Sequence, residues 1–421
     1  MILFSHPLST AFTREAALAL EEAGLLEELW TCLHWRPGGP VGRVLPGGVA
    51  RELGRRSYPA AVWPKVHTHP WREAGRLLAG RLPGLRSLAR HETGPCSVDA
   101  VFHDLDRVLV SRVRDFPAGV TGTHGVYAYE DGALDTFRAA KERGWRTVYD
   151  LPIGYWRAGQ RLFAEEAERV PEWAVTLTGR NDSEEKLARK DAEIAASDAV
   201  IVASSFTRQT LQEAPGLRAP MHVVPYGAPS GLPFSGAATR KPPRRAGEPL
   251  RVMFAGSLGQ RKGLSYLLEA VATLGKRVEL TLLGLPTTRD CAPLNAALRT
   301  HRWVPSLPHA GVLSEMARQD VLVFPSLFEG FGLVLLEAMS QGVTVITTAH
   351  TAGPDLLEEG SDGFVVPVRS ATAIAEKLDL LAAEPERCEA MGEAALRKAT
   401  ACSWQAYRAG IIQAVQKTLA G

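Results

Sequence analysis

Residues 328–339 read FEGFGLVLLEAM, a glycine turn followed by an apolar run with a carboxylate inside it. Glu337 is flanked by Leu333, Val334, Leu335, Leu336, Ala338 and Met339, and Glu329 stands eight residues before it. An acid in a greasy helix needs a partner, because desolvating a lone carboxylate costs several kcal/mol or forces it to take up a proton. Gly330 and Gly332 permit a tight turn between the preceding strand, VLVFPS, and the helix. The first helical turn, around Phe331 to Val334, then presents free N–H groups with a positive partial charge, a ready place for an anion. In an open parallel sheet that turn lies at the C-terminal edge of the strands, where ligands bind. A carboxylate at Glu337, about one turn inside the helix, can reach the hydroxyls of a sugar or ribose attached to a bound phosphate. Among 46 acidic residues a spacing of eight means little alone. The order of strand, Pro325-Ser326, Glu329, glycine turn, apolar helix, Glu337, Gly342 and strand carries the reading.

A second anion-binding element lies upstream in FAGSLGQRKGLSYLLEA. Gly256, Ser257 and Gly259 follow a strand, and Arg261, Lys262 and Gly263 open a helix. Glycines allow close backbone approach, while Arg and Lys neutralise diphosphate charge. A basic pair at a helix start opposes the dipole and so points to a bound anion. The stretch is not a P-loop, since GxxxxGK[ST] is absent.

Working outward, 421 residues exceed one ordinary core, and two domains are expected. Hydrophobic content of 45% and charged content of 22% are those of a soluble globular chain, and a net charge of +2 gives no reason to expect nucleic acid. Five scattered cysteines without CxxC spacing suit reduced thiols in a cytoplasmic protein. MILFSHPLST reads as a first strand rather than a signal peptide, and no apolar run is long enough to span a membrane. Short apolar runs alternate with helices: Ile2 to Phe4 as strand, Arg14 to Glu28 as helix, DAVIVASS as strand, a helix from about Thr207, and MHVVPYG as strand. This alternation predicts an α/β fold with parallel sheets covered on both faces. The Gly-, Pro- and Arg-rich stretch 227–249 reads as a linker. It divides an N-terminal domain over 1–226 from a C-terminal domain over 250–403, and a last amphipathic helix covers about 404–421.

The motifs GSLGQRKGLSYLLEA, FPSLFEGFGLVLLEAMSQGVTVI and TAGPDLLEEGSDGFVVP together resemble the retaining nucleotide-sugar glycosyltransferases of family GT4, which have the GT-B fold. The resemblance covers nearly all of residues 250–370 and is looser over the first half. It implies two Rossmann-like domains facing across a cleft, with the C-terminal helix crossing back to the first domain. It implies that Glu329 contacts donor-sugar hydroxyls, Glu337 the ribose, and the amides of Phe331, Gly332 and Leu333 the sugar and diphosphate. Arg261 and Lys262 would balance the leaving diphosphate. Gly256 and Ser257 would lie beside it, and Val304 in RWVPSLP would meet the base through its backbone. No metal and no separate cofactor are implied beyond the nucleotide-diphosphate sugar, of UDP, GDP or ADP type. The chain departs from the family in having Ser257 where an Arg is common and no glycine in SHPLSTAFTRE. Tyr149 and Asp150 stand where a His is usual.

Other acceptor-side candidates come from the residues themselves. His6 follows the first strand, and His124, Glu130 and Asp131 sit where a strand gives way to a helix. Acceptor contact and a helix cap by Asp131 are both open there. The DxD of HDLDR, Asp104 and Asp106, has helical spacing and reads as a solvated helix face; His103, His309 and His350 lack paired metal-ligand spacing. From Arg51 to Arg90 nine Lys or Arg stand against two acids. This segment is open between a solvated insertion and a patch for an anionic acceptor or membrane surface. The reading is a metal-independent retaining hexosyltransferase acting on a glycan, glycolipid or small-molecule hydroxyl, in the cytoplasm or peripheral to a membrane. An epimerase of the same fold and a silent nucleotide-sugar-binding protein are the rivals.

Overall fold

A computed structural model describes residues 1–36, 53–117, 122–229, 242, 244, 245 and 247–421. Most of the expected linker, residues 230–241, 243 and 246, lies outside the described residues, as do Arg51 and Glu52 of the basic segment. Among the described residues thirteen strands form two wholly parallel sheets. The first contains β1 (Ile2–Ser5), β2 (Leu26–Thr31), β3 (Val66–Thr68), β4 (Gly125–Tyr129), β5 (Arg146–Leu151), β6 (Ala199–Val202) and β7 (Met221–Val223), in the order β3-β2-β1-β4-β5-β6-β7. The second contains β8 (Leu250–Ala255), β9 (Val278–Leu283), β10 (Arg302–Val304), β11 (Val321–Phe324), β12 (Thr344–Thr348) and β13 (Gly363–Val366), in the order β10-β9-β8-β11-β12-β13. In each the order reverses at the first strand, the switch point at which an open sheet offers a crevice. The central strands β1, β4, β6, β11 and β12 are buried along their whole length, as strands covered on both faces are.

The expected helix 14–28 is in fact helix Ala11–Glu22 followed by β2. Thr10 and Thr13 form a reciprocal capping box at its start. Gly24, with φ 65°, ends it by leaving the helical region. The acids that suggested a longer helix belong to β2, where Arg112 forks onto Glu28 at 2.6–2.9 Å. The basic segment also joins the fold: β3 is an edge strand, and helix Trp71–Arg81 and a 3-10 turn Pro83–Ala89 follow it.

The chain passes between the two sheets at two adjacent places. Ala228 N–H donates to the Cys402 carbonyl at 2.7 Å, and a Cβ on Gly227 would collide with the backbone of Trp404. Helix Trp404–Ala420 then lies on the first sheet's helices, burying Tyr407, Ile411 and Val415, with Arg408 bonded to Glu15 (2.6 Å) and Glu22 (2.9 Å). Helix Trp156–Arg169 spans the other side: buried Glu166 accepts from Gln260 Nε2, Tyr266 Oη and Arg369 Nε, each at 2.7 Å.

Candidate functional site

The two quoted motifs meet because β8 and β11 are neighbours and both run into loops at the same sheet edge. Leu327 N–H and Ser326 Oγ donate to the Arg261 carbonyl at 2.9 and 3.2 Å, and Arg261 Nη1 returns a bond to the Phe328 carbonyl at 3.1 Å. Gly263, at φ 68°, is pressed against the Pro325 carbonyl, where a Cβ would collide. That close approach explains the glycine between Lys262 and the helix Leu264–Leu274. Gly284, after β9, similarly abuts the Gly256 carbonyl.

The loops converge on a carboxylate and two cations. Lys262 Nζ is ion-paired with Glu329 Oε2, and Arg261 Nη1 lies 3.6 Å from the same oxygen. Lys262 also sits over the Phe324 ring, 4.8 Å from its centroid. Burial and the adjacent Arg261 guanidinium push the Lys262 ammonium well below its ordinary pKa. The contact with Glu329 acts in the opposite direction and supplies the counter-charge a buried cation requires. Gly332, at φ 86°, precedes helix Leu333–Met339, which has no side-chain cap, so the amides of its first turn have no side-chain acceptor. A cavity of about 340 Å³ is walled by Ser257, Arg261, Lys262, Glu329 and Phe331 to Val334 on one side, and by Phe12, Pro152 and Tyr226 on the other. Cations, outward amides and one carboxylate around a single cavity can hold a diphosphate and a polyol together.

Glu337 is half-buried rather than sunk in the core, and lies beyond the cavity wall. His309 Nε2, from helix His309–Met316, meets its Oε1 at 3.0 Å, and this hydrogen bond holds the imidazole above its ordinary pKa. Val304 is in the β10–β9 ladder, and its carbonyl accepts from Gly284 N–H at 3.0 Å.

The first-domain candidates are placed differently from expectation. His124 precedes β4, so it lies at the opposite edge of the sheet from the cleft, packed against Phe116 and Trp145. Glu130 and Asp131 do follow β4 but line no part of the cavity, being held by Lys190 at 3.2 and 3.4 Å. Asp131 caps nothing: buried Glu193 accepts from the N–H groups of Asp131, Ala133 and Leu134, and Asp106 from those of Asp135 and Thr136 at the next turn. Asp106 is therefore a buried cap paired with Arg189, not a solvated face; Asp104 pairs with His69 and Arg72. Tyr149 and Asp150 alternate across β5. Tyr149 Oη donates to Glu193 at 3.3 Å, while Asp150 Oδ2 accepts from Tyr127 Oη at 2.5 Å on the other face. His6 lies behind the cavity wall among Phe12, Phe102 and Tyr129, and burial lowers its pKa to about 4. Phe12, Tyr226 and His309 had no sequence signal, because only tertiary placement brings Phe12 and Tyr226 to the cavity and His309 to Glu337. Among the described residues His91, Glu92 and Asp182 bring metal-capable atoms within 4.8 Å, away from the cavity, where Lys186 already pairs with Asp182.

Residues 237–398 match the family described as "Glycosyl transferases group 1". The chain is 29% identical over 321 residues to the D-inositol 3-phosphate glycosyltransferase of Corynebacterium glutamicum (strain R), covering 67% of this chain and 74% of that one. It is 28% identical over 270 residues to the glycogen synthase of Mycobacterium tuberculosis (strain ATCC 25618 / H37Rv), covering 61% of each. Among solved structures, sucrose-phosphate synthase from Thermosynechococcus elongatus superposes with TM-score 0.61 at 17% identity, over 100% of this chain and 98% of that one. Anabaena HepE in complex with UDP and glucose superposes with TM-score 0.58 at 15% identity, over 100% and 99%. Taken with the two parallel sheets, these matches place residues 237–398 with the glycosyl transferases group 1 and give the whole chain the GT-B fold of these glycosyltransferase structures.

Proposed function

We propose that the protein is a retaining glycosyltransferase that moves a hexose from a nucleotide-diphosphate sugar to an acceptor hydroxyl without a metal ion. Residues 250–403 would hold the donor, and residues 1–226, completed by the helix from about 404, would face the acceptor. One observation carries this reading: Arg261, Lys262, Glu329 and the amides after Gly332 surround one cavity whose far wall is the first domain. When the bond between the sugar's anomeric carbon and the diphosphate breaks, negative charge grows on the leaving oxygen. Arg261, Lys262 and the first-turn amides would stabilise it, an oxyanion-hole role. The acceptor oxygen bonds to the same face of the oxocarbenium-like sugar, and its proton passes to the departing phosphate. Glu329, turning from Lys262 to the sugar hydroxyls, would release the ammonium to the diphosphate as it binds. Glu337 would hold the ribose once His309 swings away, and the backbone beside Val304 would meet the base.

The test is calorimetry and thermal shift with UDP, GDP and ADP and their hexose esters. One diphosphate should stabilise the protein by about 2.7 kcal/mol at a hundredfold excess over Kd. No shift with any of them would remove the reading.

Peripheral membrane contact is proposed for the described part of residues 51–90. No helix among the described residues is long and apolar enough to cross a membrane. Among the described residues, four of the nine exposed large hydrophobic side chains nonetheless fall in one short stretch: Trp71 (75% exposed), Leu78, Leu82 and Leu85. Trp71 and Leu78, seven apart, share one face of helix Trp71–Arg81, and Leu82 and Leu85 follow where the chain leaves the helix for the 3-10 turn, after the C-terminal end of β3. Arg81, Arg86 and Arg90 flank these side chains with exposed cations, the pattern of an interfacial anchor on anionic lipid. Flotation with phosphatidylserine vesicles should recover the wild type at low salt and much less of Trp71→Glu; equal recovery removes the contact. Cytoplasmic placement is proposed with it, in keeping with five free cysteines.

A further inference from the structure

Glu329 hangs from the second domain, yet the residues on either side of it are gripped by the first. The Phe328 ring enters a socket made by Gly154, Gly159, Phe163 and Phe206. A Cβ on Gly154 would come within 2.7 Å of the ring, and the Phe163 and Phe206 centroids lie 5.5 and 5.9 Å away, both edge-on. On the other side the Gly330 carbonyl accepts two hydroxyls, Ser204 Oγ and Thr207 Oγ1, the latter at 2.9 Å. Gly330 is packed so closely on the Pro152 carbonyl that a Cβ there would collide. Ser204 is itself fixed, because its Oγ caps helix Ser205–Thr210 by accepting from Thr207 N–H at 3.1 Å. Ser205 N–H donates across the same boundary to Asp355 Oδ2 at 2.8 Å. The three polar atoms of the Gly330 clamp, Ser204 Oγ, Thr207 Oγ1 and the Gly330 carbonyl oxygen, are buried, so they have no water to exchange with.

We infer that Ser204 and Thr207 are positioning residues: their hydroxyls hold the 328–330 peptide so that Glu329 faces the cavity only while the two domains are in contact. Sugar recognition would then depend on domain contact, whereas recognition of the nucleotide, by loops that the second domain ties together internally, would not. A water-filled open cleft would hold the diphosphate but leave Glu329 misaligned, which limits wasteful hydrolysis of the donor. The inference rests on the reading of Glu329 as the carboxylate that contacts sugar.

The test uses the full chain with the diphosphate and the hexose ester that the nucleotide screen selects. Thr207→Val removes the hydroxyl at constant shape, and Thr207→Ser keeps it. Thr207→Val should leave the diphosphate Kd within about twofold and lower sugar-transfer kcat about tenfold, the scale of one buried hydrogen bond. Thr207→Ser should recover most of that loss, which a purely structural role would not require. Ser204→Ala is the second variant, with the same split expected. Wild-type kcat in Thr207→Val, or no recovery in Thr207→Ser, overturns the positioning role. Glu329→Gln run alongside separates the two ideas. Wild-type transfer in Glu329→Gln removes the reading of Glu329 itself, whereas lost transfer there with wild-type transfer in Thr207→Val removes only the clamp.

Discussion

Asp150→Asn should stabilise the protein, and increasingly so as pH rises. Asp150 lies on β5, buried, with Tyr127 Oη donating to its Oδ2 at 2.5 Å and Tyr129, Tyr226 and Tyr407 packed around that pair. Burial raises its pKa from 3.8 to about 7. At low pH both folded and unfolded forms carry the proton and the group contributes no penalty. Between the unfolded value and about 7 the unfolded chain has lost its proton while the folded protein keeps it, so stability falls as pH rises, then levels off. Each unit is worth about 1.36 kcal/mol, which gives roughly 4 kcal/mol across the whole range. From pH 5 to pH 8 the share still to be lost is roughly 3 kcal/mol, a large part of a typical net stability. Asparagine keeps an acceptor for Tyr127 and has nothing to titrate. Urea unfolding of both proteins at intervals from pH 5 to pH 8 gives the difference directly, since other groups cancel. The stability gap should widen by about 2–3 kcal/mol over that span. A gap that stays constant with pH would refute the reasoning, because Asp150 would then titrate like an exposed carboxylate.

Nucleotide affinity should rise with pH through the raised pKa of His309, because deprotonation releases Glu337 for the ribose; His309→Ala should flatten the profile of Kd against pH. The sign for stability is opposite: the His309–Glu337 pair stabilises fully below pH 6.5 and is lost as pH passes the raised value. Phe328→Ala empties the aromatic socket between the domains at a cost of about 3–5 kcal/mol, and small-angle scattering should report a more open particle with unchanged helix content. Gly263→Ala cannot keep φ 68° against the Pro325 carbonyl without strain, and should weaken diphosphate binding by displacing Lys262, as calorimetry would register.

The second domain was largely legible because its chemistry is local. Gly-Phe-Gly before an apolar run fixes a strand, a turn and a helix start, and the turn carries its own acid. Arg261 and Lys262 needed only one further fact, that β8 and β11 are neighbours, to meet Glu329. The first domain was less legible, because its charged residues act at a distance along the chain. Asp106 caps a helix that begins 28 residues later, and Glu193 caps the same helix from the other direction in sequence. A side chain that serves a remote backbone leaves no periodic trace, and so Asp106 read as solvated and Asp131 as open between a cap and an acceptor contact. His124 was misplaced for a simpler reason: it lies before β4 rather than after it, and only the position of the strand decides which edge it occupies. Glu337 read as a buried acid because its neighbours are apolar, but it occupies the outward side of a short helix and has His309 as partner.

The most direct measurement is Glu329→Gln, assayed for diphosphate affinity and for sugar transfer in parallel. The account predicts diphosphate binding at wild-type strength or tighter, since Lys262 loses its internal partner, together with loss of transfer. Wild-type transfer in this variant, or diphosphate binding lost along with it, would contradict the placing of the sugar at Glu329 and the diphosphate at Arg261 and Lys262.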